Sequence, residues 1–244
     1  MKKQFTRYIC LVIFICQGLF SNYASAQAVD SVYQDSLVQK HDSLSPKKEE
    51  KLWQVRPIEA VAPVSLALAA FVTQGSISRH LQSHVVSRYP DFSTRNFDNY
   101  LHYLPAVVSL SLGASGVKGK HSFGDQLILA LLSNLVAQGV TGSLKMISQY
   151  PRPNGEDNHS FPSGHTSNAF TSATILHEEY GHRSVWYSVG GYTAATSVGA
   201  MRIMKNKHWL ADVLMGAGIG IAATKVVYIS YPWLKQTVRR IRKK

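Results

Sequence analysis

The sequence predicts an all-α fold, a helical bundle of about six helices embedded in a membrane, and three observations predict it. Charged residues make up 16% of the 244 positions and hydrophobic ones 45%, whereas roughly a quarter of a typical soluble domain is charged. Apolar stretches of helical length recur six times. One of them, Gln126 to Leu144, runs without a charge and approaches the ~20 residues that cross a bilayer.

The chain opens with Lys2, Lys3 and Arg7 ahead of an apolar run from Tyr8 to Phe20, then Ala24-Ser25-Ala26. Residues 1–26 therefore read as an export signal cleaved after Ala26, with an uncleaved anchor helix as the alternative. Both cysteines, Cys10 and Cys16, lie in that run, so the processed chain has no disulfide, no cysteine nucleophile and no cysteine-ligated zinc. Phe14 and Ile15 are too large for a lipoprotein processing site at Cys16. Residues 27–56 are polar with little apolar periodicity, include the mixed run Lys47-Lys48-Glu49-Glu50-Lys51, and read as a linker.

From Pro57 to about residue 234 lies the expected single catalytic domain. Its helix candidates are Ile58 to Thr73, Tyr100 to Gly116, Gln126 to Met146, Gly164 to Leu176, Val185 to Met204 and Trp209 to Tyr231. All but the third are shorter or interrupted, as by Lys225 in the last, and equally suit core helices of a soluble bundle. Gly216 and Gly220 form a small-xxx-small pair suited to close helix packing. Residues 235–244 form a basic tail with Arg239, Arg240, Arg242, Lys243 and Lys244.

The net charge of +12 fits nucleic acid, an anionic membrane or an anionic substrate. No basic stretch is interleaved with stacking aromatics, so nucleic acid is not an expected partner. Basic loops favour the cytoplasmic side, which puts the tail and Lys118-Gly119-Lys120 inside. Counting back, the helix ends bearing Arg152, His165 and His208 fall together on the periplasmic face. An exported amino terminus conflicts with an outward crossing by Ile58 to Thr73. That stretch, short and containing Pro63, is expected to be non-spanning or re-entrant.

Three constellations carry chemistry. The first is Lys145, six residues, then Arg152-Pro153; the second is Pro162-Ser163-Gly164-His165; the third is Arg202, five residues, His208, three residues, Asp212. His208 and Asp212 are four apart, so on a helix they share a face. The carboxylate can then fix one imidazole nitrogen and leave the other with a lone pair for an electrophile. Alone, such a pair is an ordinary helix-face hydrogen bond. Pro151 ends the third helix near Gln149, which brings Lys145 and Arg152 to one helix end. Ser163 and Gly164, after Pro162 at a helix start, are expected to offer backbone N–H groups to an oxyanion.

Taken together these are the parts of an in-line phosphoryl transfer, which needs held oxygens and neutralised charge. Lys145, Arg152 and Arg202 would grip the oxygens. His208 would attack phosphorus, and His165 would protonate the departing alkoxide and then deprotonate the attacking water. No carboxylate cluster of metal-binding spacing occurs, so neither a metal nor another cofactor is expected.

The three motifs, in this order and with these gaps, resemble those of the type 2 phosphatidic acid phosphatase superfamily. The resemblance covers about Ile58 to Tyr231 and is specific at Lys145, Arg152, Pro153, Pro162, Ser163, Gly164, His165, Arg202, His208 and Asp212. It implies the roles just argued and a helical core with the motifs at one helix-end face. Met201 departs from the serine usual before the motif arginine, which removes a hydrogen bond near the phosphate. The expectation is a phosphoric monoester hydrolase of the bacterial inner membrane facing the periplasm. Its expected substrate is a phosphorylated lipid, one of lipid A, undecaprenyl pyrophosphate or a phosphatidyl phosphate. A soluble periplasmic acid phosphatase is the runner-up, and a non-catalytic lipid-phosphate binder the alternative of another class. Oligomeric state has no signal in the sequence, and lipid selectivity is expected to depend on stretches such as Arg79 to Asn99.

Overall fold

A computed structural model describes residues 57–90, 92 and 96–242, all within one compact unit, Trp53–Lys244. The signal, the linker and the last two lysines lie outside the described residues. Within them the secondary structure is entirely helical. The helices are α1 (Pro57–Thr73), α2 (Ser76–Arg88), α3 (Asp98–Leu101), α4 (Leu104–Ala114), α5 (Phe123–Ser148), α6 (Gly164–Tyr180), α7 (Val185–Met204) and α8 (Leu210–Arg242).

Local chemistry sets the boundaries that matter. The Ser122 side chain caps α5 by accepting from the Asp125 N–H at 3.3 Å, and Asp125 suits the positive end of the helix dipole. At the other end Gln149 adopts the left-handed region, φ 42°, closing the helix before Pro151. Ser163 caps α6 and Ser184 caps α7. Asp212 caps α8 by accepting from the Trp209 N–H at 2.9 Å. The last helix does not stop near Tyr231 but runs on to Arg242, so the basic residues 239–242 form its final turn.

Two helices occupy the stretch between Thr73 and Tyr100, where the sequence shows no apolar period. The inner stripe of α2 is Ser78, Gln82 and Val85, at helical spacing but two-thirds polar, so hydrophobic periodicity cannot reveal it. Its polar groups serve the fold directly. Gln82 donates to the Ile203 carbonyl at 2.9 Å and to Asn206 at 2.8 Å, and Ser78 accepts from the Ala211 N–H at 3.2 Å. These bonds brace the turn between α7 and α8.

Helix α6 is the hub, packed against α4, α5, α7 and α8, and α8 also packs on α1 and α5. One apolar cluster joins Leu129, Ile175, Val227 and Tyr228; another joins Ala70, Met215 and Ile219. The Gly216–Gly220 pair sits where α8 crosses the first turns of α6. A Cβ on Gly216 would stand 2.5 Å from the Ser163 carbonyl oxygen, so only glycine permits this approach. At the far end of the bundle, buried Lys225 pairs with Glu178 at 2.5 Å, and His121 contacts fully buried Glu179 at 2.8 Å.

Helices α5 and α8 are long and apolar enough to cross a membrane; Ile58–Thr73 and Ser76–Arg88 together make a third such segment, bent by 82°. That is the geometry of a broken span or a re-entrant loop. A glycine test follows from the α6–α8 contact. Gly216→Ala should lower stability by about 1–3 kcal/mol, read as a lower midpoint in a detergent thermal melt. Gly139→Ala, which meets nothing within 4 Å, should leave the midpoint unchanged or slightly raised.

Candidate active site

The residues singled out in the sequence come from four helix ends: the close of α5, the start of α6, the close of α7 and the start of α8. One backbone bond joins the second motif to the third, and another braces the loop that carries Arg152. The Ser163 N–H donates to the Asp212 carbonyl at 3.0 Å, and the Arg152 N–H to the Asp157 carbonyl at 3.0 Å. The Trp209 indole N–H donates to the Pro151 carbonyl at 2.8 Å, tying the 150–160 loop to the third constellation.

His208 lies at the centre, 2% exposed. Its Nδ1 is 3.3 Å from Oδ2 of Asp212, and that oxygen also accepts from the Trp209 N–H and, in a close contact, from the Ser160 hydroxyl. With Nδ1–H directed to the carboxylate, Nε2 keeps the lone pair. Burial lowers the imidazole pKa to about 4 and outweighs the raising effect of Asp212; the charges of Arg202 and Lys145 add to the lowering. The ring is therefore neutral near pH 7, the form a nucleophile needs.

His165 projects from the first turn of α6. Its Nε2 is 2.8 Å from Oδ1 of Asn99, and its ring meets His102 edge-on with centroids 5.0 Å apart. Burial, then the nearby Arg202 charge, lowers its pKa to about 3.

The three cations converge, each with a partner inside the protein. Lys145 donates to the carbonyls of His159 at 2.6 Å and Ser160 at 3.3 Å. Arg152 pairs through Nε with Asp157 at 2.7 Å. Arg202, buried, pairs through Nη1 with Asp98 at 2.8 Å, and Lys205 reaches the other oxygen of Asp98 at 2.9 Å. The Arg202 Nε–H is buried without an acceptor. Lys145 is close enough to Arg152 and Arg202 to feel both charges.

One expectation changes. The N–H of Ser163 is not open to an oxyanion, because the Asp212 carbonyl takes it, and its hydroxyl caps Thr166. The N–H groups of Gly164 and His165, in the first turn of α6, have no intrahelical acceptor by geometry. Sequence reasoning missed Asp98, Asn99, His102, Ser160 and Lys205. Only Ser160, two residues before Pro162, lies near enough to a motif to have been noticed. Among the described residues no group of three histidine, cysteine, aspartate or glutamate side chains is placed to hold a metal ion.

This constellation can be set beside known proteins. The PAP2 superfamily model matches residues 126–236, which contain all three motifs. This stretch is similar to a PAP2 superfamily domain. A curated protein of Porphyromonas gingivalis, described as Lipid A 1-phosphatase, is 35% identical over 191 residues. The match takes in 78% of this chain and 42% of that protein, so the chain spans about two-fifths of its relative's length. Among solved structures, the fold is similar to a transmembrane PAP2-type phosphatidylglycerolphosphate phosphatase from Bacillus subtilis. There the TM-score is 0.52 at 20% identity, covering 68% of this chain and 94% of that one. A structure of LpxE from Aquifex aeolicus aligns over 68% of this chain and 93% of its own, at TM-score 0.39 and 23% identity.

The two site histidines, His165 and His208, give the protein a characteristic acid response. The unfolded chain takes up protons near the ordinary histidine pKa of 6.5, whereas the folded protein accepts them only near 4 at His208 and near 3 at His165. Between those values the unfolded state binds more protons, so stability is full above pH 6.5 and declines as pH falls toward 4. Thermal melts from pH 8 to 4 should show this fall, and His208→Gln should make it shallower.

Proposed function

We propose that this protein is a lipid phosphatase that works through a phosphohistidine on His208, without a metal ion. The observation that carries the reading is the buried, neutral His208, held by Asp212 at one nitrogen and flanked by the charges of Arg202 and Lys145. A helix-face hydrogen bond alone has no use for three converging cations; a phosphoryl group does.

In the first step the Nε2 lone pair of His208 attacks phosphorus. An N–P bond forms, the bridging P–O bond breaks, and the departing alkoxide takes a proton from His165. In the second step water attacks phosphorus and gives its proton to His165. The N–P bond then breaks, its electron pair returns to the imidazole, and inorganic phosphate leaves. Lys145, Arg152, Arg202 and the N–H groups of Gly164 and His165 hold the non-bridging oxygens. An entering phosphate dianion raises the pKa of His165 by its charge, so the ring takes a second proton from solvent as the substrate binds and gives one to the departing oxygen.

The substrate class is a phosphorylated lipid. The membrane-length helices α5 and α8 fit a lipid substrate, and the likeness to a Lipid A 1-phosphatase favours lipid A over undecaprenyl pyrophosphate or a phosphatidyl phosphate. Orientation follows from charge. Lys118, Lys120 and Arg183 lie beside the start of α5 and the end of α6, and Arg239 and Arg240 near the end of α8, the helix ends opposite those that carry the motifs. Helix α8, with 33 residues, is roughly 50 Å long, more than the ~30 Å hydrocarbon core, so its basic end extends past the bilayer. Basic ends stay cytoplasmic, which puts the active site on the periplasmic face of the inner membrane.

Phosphate release from lipid A, undecaprenyl pyrophosphate and phosphatidic acid by the detergent-solubilised protein tests the reading; release from none of them would overturn it. His208→Ala should lower kcat by about 10³-fold or more while inorganic phosphate still inhibits. Turnover unchanged in that variant rules out His208 as the nucleophile. His165→Ala should slow alkyl phosphates more than aryl phosphates, whose good leaving groups need no proton.

A further inference from the structure

The turn between α2 and α4 carries no recognised motif, yet its polar side chains meet the candidate site one after another. Asp98 is fully buried and takes Arg202 on one carboxylate oxygen and Lys205 on the other. The next residue, Asn99, holds Nε2 of His165 at 2.8 Å. His102, buried, bonds through Nδ1 to the Asp98 carbonyl at 2.8 Å and sets its ring edge-on to His165. Three residues of one short segment thus touch the second constellation and the third.

We propose that Asp98–His102 is a fourth constellation of the phosphoryl site, in which Asn99 fixes the ring proton of His165 on Nε2 and Asp98 aims Arg202. The inference rests on the phosphatase reading above. An amide oxygen only accepts hydrogen bonds, so the 2.8 Å contact places the single proton of the neutral imidazole on Nε2. The His102 ring, itself fixed to the backbone, opposes rotation of His165 away from this arrangement. When the substrate's charge draws a second proton onto Nδ1, a departing oxygen that replaces Asn99 takes the proton on Nε2 and leaves the ring neutral. Asp98 acts on the other partner. It anchors Nη1 of Arg202 and leaves the buried Nε–H with no acceptor, a fixed donor suited to a phosphoryl oxygen. Both are positioning residues; the chemistry stays with His208 and His165.

The test uses the full chain in detergent, with decyl phosphate as the poor leaving group and p-nitrophenyl phosphate as the good one. Side-chain ¹⁵N spectra of histidine-labelled protein report the tautomer, with His165 assigned by its loss in His165→Gln. Asn99→Ala should lower kcat for decyl phosphate by about 10- to 100-fold and for p-nitrophenyl phosphate by no more than about 3-fold. It should also remove the Nε2–H signature of His165. Asn99→Asp, which keeps an acceptor oxygen, should restore both the signature and most of the decyl phosphate rate. Asp98→Asn should raise the inhibition constant of inorganic phosphate about 10-fold with the His165 tautomer unchanged.

An unchanged tautomer in Asn99→Ala, or equal loss on both substrates with no rescue by Asn99→Asp, would overturn the assignment. If the wild-type protein releases phosphate from neither probe and from none of the three lipids, the phosphatase reading fails by itself. The spectra then still decide the role of Asn99, and binding of inorganic phosphate decides that of Asp98.

Discussion

The site depends on how closely α8 approaches α6. With glycine at 216 and 220, the backbone of α8 lies against the Ser163 carbonyl and the first turns of α6, and the Asp212 carbonyl reaches the Ser163 N–H. That one approach joins the second motif to the third. It sets the distance between the residue that would attack phosphorus and the residue that would protonate the leaving oxygen. A methyl group at position 216 would press on backbone rather than on a mobile side chain, and a backbone cannot yield without moving the helix start that carries His165.

Around this contact each cation is held by a resident acceptor: carbonyls for Lys145, Asp157 for Arg152, Asp98 for Arg202. Three uncompensated cations in a partly buried pocket would repel one another and pay a large desolvation cost. On the phosphatase reading, substrate binding would be an exchange of partners, in which phosphate oxygens take over donors already held near their working positions. Such preorganisation favours charge development on the phosphoryl group, because the donors do not have to be gathered during the reaction. It also selects against weakly charged ligands, which cannot displace a carboxylate.

The parts of the fold legible in the sequence were those whose chemistry is local. Pro151 marks the end of α5, Pro162 and Ser163 mark the start of α6, and the four-residue step from His208 to Asp212 marks a shared helix face. Gly216 and Gly220 were readable as a packing signal, though not as the contact that fixes Ser163. What stayed hidden was long-range and polar. Helix α2 buries Ser78 and Gln82 in place of leucines, and Asp98 finds its arginine 104 positions away. No periodicity encodes such pairs. The Ser163 N–H looked available because a helix start has open donors, and only the fold supplies the carbonyl that closes it.

The pairing of Lys225 with Glu178 at the far end of the bundle carries a consequence for assembly. Lys225 lies inside α8, otherwise apolar enough to span a bilayer, and its ammonium contacts a carboxylate near the end of α6. A lone lysine at membrane depth is costly, by insertion scales about 2.5–3.5 kcal/mol at a helix centre, and a buried pair that loses one member costs still more. Because α6 precedes α8 in the chain, the carboxylate is already made when the lysine emerges. Biogenesis can thus follow the ribosome: the later helix enters the bilayer against an earlier one that holds its counter-charge.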